Sequence, residues 1–223
     1  PNGERQFVYW RDKSAAKVMF NGLDTEAREK LIKHTDMFYF SGISIAILEP
    51  EQRNKLWSLI EEMKQKGTKV IFDSNYRLKL WESELIAKDA FEQAVAVSDI
   101  VFAGIEDYEM LYKTADRNKL LALISTFSAN EIIIKDGAND VQYVTQGEKG
   151  VVRISPVDHV VDTTSAGDSF NGGYIAARIK GHSVSSAIEI ASQVSAFVIQ
   201  HKGAIVEEKT FTSFVESKLK NLI

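Results

Sequence analysis

The chain has 223 residues, a net formal charge of −4, 44% hydrophobic residues and no cysteine. That length suits one α/β domain, or one with a small appendage, and gives enough apolar material for a sizeable core. The mild negative charge offers no global field for nucleic acid or an anionic membrane, and the missing cysteines exclude a disulfide framework, a thiol nucleophile and a zinc–thiolate site.

No apolar run approaches the ~20 residues that span a bilayer, and no signal-peptide pattern is present. The expected location is therefore cytoplasmic. The chain opens on Pro1 rather than Met and runs at once into a strand-like segment, Gln6 to Trp10, which raises the expectation of a fragment of something longer.

The rhythm that follows is strand, then helix. Met37-Phe38-Tyr39-Phe40 is a short apolar run ending at Ser41-Gly42. A helix is predicted from Pro50, a residue tolerated in a first helical turn. Its Leu56, Leu59, Ile60 and Met63 follow the spacing of one buried face, and Gly67 stops it. Residues 69–73 read as a buried strand, 83–97 as a helix and 99–102 as a strand. Helices over 105–113 and 117–128 lead to a β-branched strand at 131–135. Residues 140–144 and 150–154 read as a hairpin flanking 146–148. Helices are predicted thereafter, over 167–181, 184–201 and 209–221. Continuous apolar strands between amphipathic helices imply a parallel sheet covered on both faces. Ligands bind such sheets beyond the carboxyl ends of the strands.

One stretch carries chemistry: Val161-Asp162-Thr163-Thr164-Ser165-Ala166-Gly167-Asp168-Ser169-Phe170-Asn171-Gly172-Gly173-Tyr174. A turn of Ser165, Ala166 and Gly167 has almost no side-chain bulk, so its backbone N–H groups can approach an anion at a helix start. That suits a transferring phosphoryl group. Asp168, in the same first turn, can accept a proton from an attacking hydroxyl. Gly172 and Gly173 weaken a helix and imply close packing against a neighbour. An Asp near a helix start is also ordinary capping chemistry, and neither a P-loop nor a G-x-G-x-x-G motif is present.

The run Asp162-Thr163-Thr164-x-Ala166-Gly167-Asp168-Ser169-Phe170-x-x-Gly173 resembles the C-terminal signature of the pfkB, or ribokinase-like, sugar kinases. That resemblance implies a three-layer α/β/α sandwich with a mainly parallel sheet and a small β lid. It also implies Mg2+ and ATP as cofactors, an anion hole at Ala166 and Gly167, and Asp168 as catalytic base. Within the family, the segments around Gly3–Arg11, Phe38–Ser44, Phe72–Trp81, Ile133–Ala138 and Ile199–Ile205 are similar to the kinases of 2-keto-3-deoxygluconate. The implied reaction is phosphorylation of that sugar acid at its terminal hydroxyl, giving 2-keto-3-deoxy-6-phosphogluconate.

A sugar acid carries a carboxylate, for which Arg is the natural fixed-charge fork. Arg11 and Arg77 are the candidates, with the Tyr9 hydroxyl, Ile43 against the carbon chain and Asp168 at the reacting hydroxyl. Nucleotide-side candidates are Lys135 and Gly137 at the end of a buried strand, Ser165 and Gly167 in the turn, and Ser192. His34 and His201 are read as structural or surface residues. No protein residue is assigned as a metal ligand.

The sequence departs from the family pattern in places. Gly104-Ile105-Glu106-Asp107 stands where many relatives have Asn-x-x-Glu, leaving open which acid serves the magnesium–phosphate region. Leu78 stands where Pro is common, and Ser165 where Gly or Ala is. Nothing matches the family's opening strands with their Gly-Gly-x-x-x-Asn motif. Residues 1–11 are therefore expected to be a remnant of the lid and substrate-facing strand, and 12–223 the kinase core. A chain so truncated is expected to have reduced activity, and the intact protein to be a homo-oligomer through lid strands. The alternatives are a kinase of a neutral sugar such as fructose, and a non-catalytic nucleotide-binding fragment.

Overall fold

The structure is a computed structural model and describes residues 14–219. The chain divides into two units: residues 14–137 with 142–149, and residues 138–141 with 150–219. The expected lid remnant lies outside the described residues.

The first unit opens with a 3-10 segment, Ala15–Gly22, and helix α1, Thr25–Lys33. It continues through β1 (Met37–Ser41), α2 (Gly42–Ala46), α3 (Pro50–Gln65) and β2 (Lys69–Asp73). A 3-10 turn at Leu78–Leu80 leads to α4 (Glu84–Val97), β3 (Ile100–Gly104), α5 (Ile105–Tyr112), α6 (Arg117–Ile124) and β4 (Glu131–Lys135). β5 (Val141–Thr145) and β6 (Lys149–Val152) complete the sheet, whose strand order is β1-β2-β3-β4-β5-β6. β1 to β4 are parallel, and β5 runs antiparallel to β4.

The register brings the carboxyl ends of the parallel strands level. Ser41 stands opposite Asp73, Asp73 opposite Phe102, and Gly104 opposite Lys135. Val70, Ile71 and Phe72 are all fully buried although successive side chains point to opposite faces, so both faces of the sheet are covered. Leu56, Leu59, Ile60 and Met63 are the buried stripe of α3, as their spacing requires. Pro50 opens that helix, and Gly67, at φ +89°, reverses the chain after it.

Several boundaries differ from the sequence reading. α6 stops at Ile124: the amides of Thr126 and Phe127 donate three residues back, to Leu123 O (3.0 Å) and Ile124 O (3.1 Å), and the chain leaves the helix in a turn. β6 ends at Val152, and the Ile154 amide donates to the Asp140 carboxylate instead (3.1 Å). Two helices had no counterpart in the reading. α1 is charged, buries Ile32 and is started by Asp24, whose carboxylate accepts from Ala27 N (2.8 Å). α2 is five residues long and rests on a capping box of Ser41 and Ser44.

The second unit holds α7 (Ala166–Ile179), α8 (Val184–Val198) and α9 (Glu208–Phe214), the last continuing into a π turn at Val215–Leu219. Gly173 explains how closely α7 and α8 approach. A Cβ there would lie 3.1 Å from Ala191 Cα and 3.2 Å from Val194 Cβ. Gly172 faces open space, so the expected close packing holds for one of the two glycines. Phe197 stacks on Phe214 at 4.1 Å, and the His201 ring lies against Phe197 with Nδ1 2.9 Å from the Phe197 carbonyl. No helix among the described residues is long and apolar enough to cross a membrane.

Candidate active site

In the second unit the Asp-Thr-Thr turn is organised by Asp162, which is 1% exposed. Its Oδ1 accepts from the Thr164 amide (3.1 Å) and hydroxyl (2.6 Å), and its Oδ2 accepts from Gly203 N (2.8 Å). The amides of Val161 and Asp162 both donate to the Ile199 carbonyl, at 2.8 and 3.0 Å. The turn is thereby tied to the end of α8 and to Gly203, whose φ of +92° suits glycine.

Ala166, Gly167 and Asp168 are the first three residues of α7. Ser165 precedes them, buried, and makes no side-chain cap hydrogen bond. The Ala166 amide donates to Thr163 O (3.1 Å), and Ser195 Oγ on α8 donates to the Ala166 carbonyl (2.9 Å). Ser169 closes the turn by donating from its hydroxyl to Ser165 O (2.6 Å). Gly167 and Asp168 are exposed, at the positive end of a 14-residue helix. Ser192 sits half-buried on α8, with its hydroxyl donating to Ile188 O (2.8 Å).

The first unit gathers a charged group at the level carboxyl ends of its strands. Asp73, last in β2 and 4% exposed, accepts from Lys135 Nζ on Oδ1 (3.0 Å) and from the Tyr39 hydroxyl on Oδ2 (3.3 Å). Lys135, assigned to the nucleotide by resemblance, is thus also the partner of a buried carboxylate. Ser74 donates to Asp107 Oδ2 (2.5 Å) while its oxygen accepts from Gly104 N (3.0 Å). Burial, with the nearby Asp73 charge, pushes the Asp107 carboxyl up to about 6, against the pull of the Ser74 hydrogen bond, Lys135 and Arg77.

The Asn-x-x-Glu departure has a steric reading. A Cβ at Gly104 would lie 2.9 Å from Asp107 Oδ2, so the carboxylate occupies the space a side chain at 104 would need. Glu106, beside Asp107, is exposed. Gly137 has φ +57°, in the left-handed region.

Arg77 follows β2. Its guanidinium donates to Tyr76 O (2.8 Å), lies 3.8 Å from Asp107 Oδ1 and keeps 42% of its side-chain surface exposed. Ile43 is the half-buried second residue of α2. Tyr9 and Arg11 lie outside the described residues. Sequence reasoning gave no role to Asp73, Ser74 or Asp162. Each stands inside a quoted motif; the partners of Asp73 and Ser74 come from elsewhere in the chain, while Asp162 is held by Thr164 of its own motif and by the distant Gly203.

A mainly parallel α/β sheet with acids at its strand ends, and a separate small-residue helix start bearing an aspartate, are the features that the resemblance to the carbohydrate kinases led one to expect. The match to the family model agrees: residues 1–210 fit the pfkB family of carbohydrate kinases, and the chain belongs to that family.

Among curated relatives it is similar to the 2-dehydro-3-deoxygluconokinase of Escherichia coli K12, with 37% identity over 208 residues, 92% of this chain and 67% of that enzyme. The Haemophilus influenzae 2-dehydro-3-deoxygluconokinase is 36% identical over 210 residues, covering 92% of the chain and 66% of the relative. In fold it is similar to Salmonella enterica aminoimidazole riboside kinase, solved with aminoimidazole riboside and an ATP analog. The TM-score is 0.70 at 24% identity, covering 82% of this chain and 63% of that one. The chain thus spans about two thirds of the length of the relatives it matches.

Proposed function

We propose that the intact protein transfers the γ-phosphoryl group of ATP to the terminal hydroxyl of 2-keto-3-deoxygluconate, the same compound as 2-dehydro-3-deoxygluconate. In this reading the substrate oxygen forms a bond to the γ-phosphorus as the bond to the bridging oxygen of ADP breaks, and the hydroxyl proton passes to the Asp168 carboxylate. The resemblance puts the anion hole for the phosphoryl oxygens at Ala166 and Gly167; the Ala166 amide donates to Thr163 O (3.1 Å) and would have to exchange that partner for a phosphoryl oxygen. The observation that carries the proposal is the placement of Asp168, exposed in the first turn of α7 behind the uncapped Ser165.

The other roles follow the resemblance. Arg77 binds the substrate carboxylate, a use that its half-exposed guanidinium supports. Tyr9, Arg11 and Ile43 complete the sugar side. Lys135, Gly137, Ser165, Gly167 and Ser192 serve the nucleotide.

The described residues contain no group of three or more His, Cys, Asp or Glu side chains placed to hold a metal. A magnesium ion carried on nucleotide phosphates needs only one or two carboxylates. Glu106 and Asp107, adjacent at the start of α5, fit that demand. When bound, the ion would neutralise phosphate charge. Reduced turnover by these 223 residues alone, and a homo-oligomeric intact protein, belong to the same proposal. They rest on the resemblance and on the share of the relatives' length that the chain spans.

The test is Mg·ATP-dependent phosphorylation by the intact protein, with 2-keto-3-deoxygluconate and fructose compared by product mass. Preference for the acid supports the proposal. Preference for fructose keeps the family and overturns the substrate. Asp168→Asn is expected to lower kcat by about 10²–10⁴-fold with ATP binding retained. Unchanged turnover would overturn the assignment of the base.

A further inference from the structure

Arg53 lies on α3, is none of the residues assigned above, and is 7% exposed. A buried guanidinium is costly unless its donors are matched, and here Nε and Nη2 are matched by two different loops. Nε donates to the Ile45 carbonyl (3.1 Å) and Nη2 reaches the Ala46 carbonyl (3.5 Å), both at the C-terminal end of α2. Nη2 also binds both carboxylate oxygens of Glu82, at 2.8 and 2.9 Å. The Arg53 Cζ lies over the Trp81 ring, 5.4 Å from the ring centre, and Trp81 packs edge-on against Phe91 at 6.0 Å.

Each of those loops follows a parallel strand, and each carries one proposed substrate residue. α2 is a single turn of five residues bearing Ile43, too short to hold its own shape. The segment from Arg77 to Glu82 holds only the three-residue 3-10 turn Leu78–Leu80. Its fixed points are the buried Trp81 and the Glu82 carboxylate, and Arg53 touches both.

We propose that Arg53 is a positioning residue for the sugar-acid site: by clamping the end of α2 to the Trp81–Glu82 segment it fixes Ile43 and Arg77 relative to each other. This inference rests on the proposed reading of those two residues as substrate-binding. Arg53 touches no reacting group. Its effect passes through the loops, where small errors of placement are expensive in substrate affinity.

The variant is Arg53→Lys, which keeps the charge but cannot reproduce the planar fork, with Glu82→Gln as a second break on the half-exposed side of the clamp. Two readouts are taken on the intact protein: amide hydrogen exchange across 42–48 and 77–83, and steady-state kinetics with both substrates. Both variants are expected to speed exchange in those two segments together. They should raise KM for 2-keto-3-deoxygluconate about tenfold and leave kcat and KM for ATP within about twofold. Adding Arg53→Lys to Arg77→Met is expected to raise KM little further, since the lost residue is the one being positioned.

Unchanged exchange in either segment overturns the clamp. Faster exchange with an unmoved KM, or a parallel fall of kcat and of ATP affinity, overturns the positioning role. If the wild-type protein phosphorylates no sugar acid, the substrate reading fails and takes the positioning role with it, while the exchange data still decide whether the clamp exists.

Discussion

Two aspartates, Asp162 fully buried in one unit and Asp107 part-buried in the other, are held in different ways. Asp162 accepts from two donors of Thr164 and one of Gly203, each aimed at a carboxylate oxygen. Asp107 has one neutral donor, Ser74, and sits beside Asp73, with Lys135 and Arg77 as the nearby cations. The first is a carboxylate tied into its turn by hydrogen bonds from both of its flanks. The second is a carboxylate whose charge is made costly by desolvation and by the neighbouring Asp73, so its carboxyl is pushed up to about 6. A buried acid can therefore be a structural tie or a group under electrostatic strain, and the donors around it decide which.

The same small change, Asp→Asn, should have opposite signs at the two sites. At 107 the native state binds the proton more tightly than the unfolded chain does, with the group moved from the ordinary 3.8 to about 6. Its stability contribution is complete below about 3.8 and is lost as pH rises through 6. A change of that size corresponds to about 3 kcal/mol. Asp107→Asn keeps an acceptor for Ser74 and removes that loss. The variant should be more stable than the parent at pH 7 by up to about 3 kcal/mol, with the gap closing between pH 6 and 4. Urea unfolding at pH 4 and pH 7 checks it, and a gap independent of pH would mean the Asp107 charge carries no strain.

At 162 the expected outcome reverses. An amide NH2 in place of either oxygen would face an N–H or O–H donor, from Gly203 on one side or Thr164 on the other. Asp162→Asn is expected to destabilise by about 2 kcal/mol, the cost of buried donors left unmatched. A thermal melt at pH 7 measures it. If both variants shift in the same direction, the contrast between the two sites is wrong.

What could be seen in the sequence divides along the same line. The turn before α7 is local: Asp162, Thr164, Ser165 and Ser169 lie within one short run, and its motif was legible with Asp168 at its end. The strand-end cluster is not local. Tyr39 and Asp73 are 34 positions apart, and Asp73 and Lys135 are 62 apart. They meet because parallel strands bring their carboxyl ends level, which no spacing along the chain announces. The long apolar strands and the stripe of α3 were equally plain. α1 buries Ile32 alone among its nine residues, and α2 has only five, so neither gave a periodic signal.

The smallest expected effect tests the one place where the sequence treated two residues alike and the packing does not. Gly172 and Gly173 both cost helix stability in the middle of α7, and replacing either with Ala should recover about 1 kcal/mol from backbone propensity alone. At 172 nothing lies within 4 Å of the new methyl, so the gain is kept. At 173 the methyl would lie 3.1 Å from the Cα of Ala191, a backbone atom that cannot swing aside, and 3.2 Å from Val194. Either the helices separate or the contact is compressed, and overpacking of that kind costs about 1 kcal/mol or more. Gly172→Ala should raise the melting temperature and Gly173→Ala should not, leaving the pair about 1 kcal/mol apart in urea unfolding. Equal gains at both positions would mean that α7 and α8 can part without loss, and that Gly173 does not set their approach.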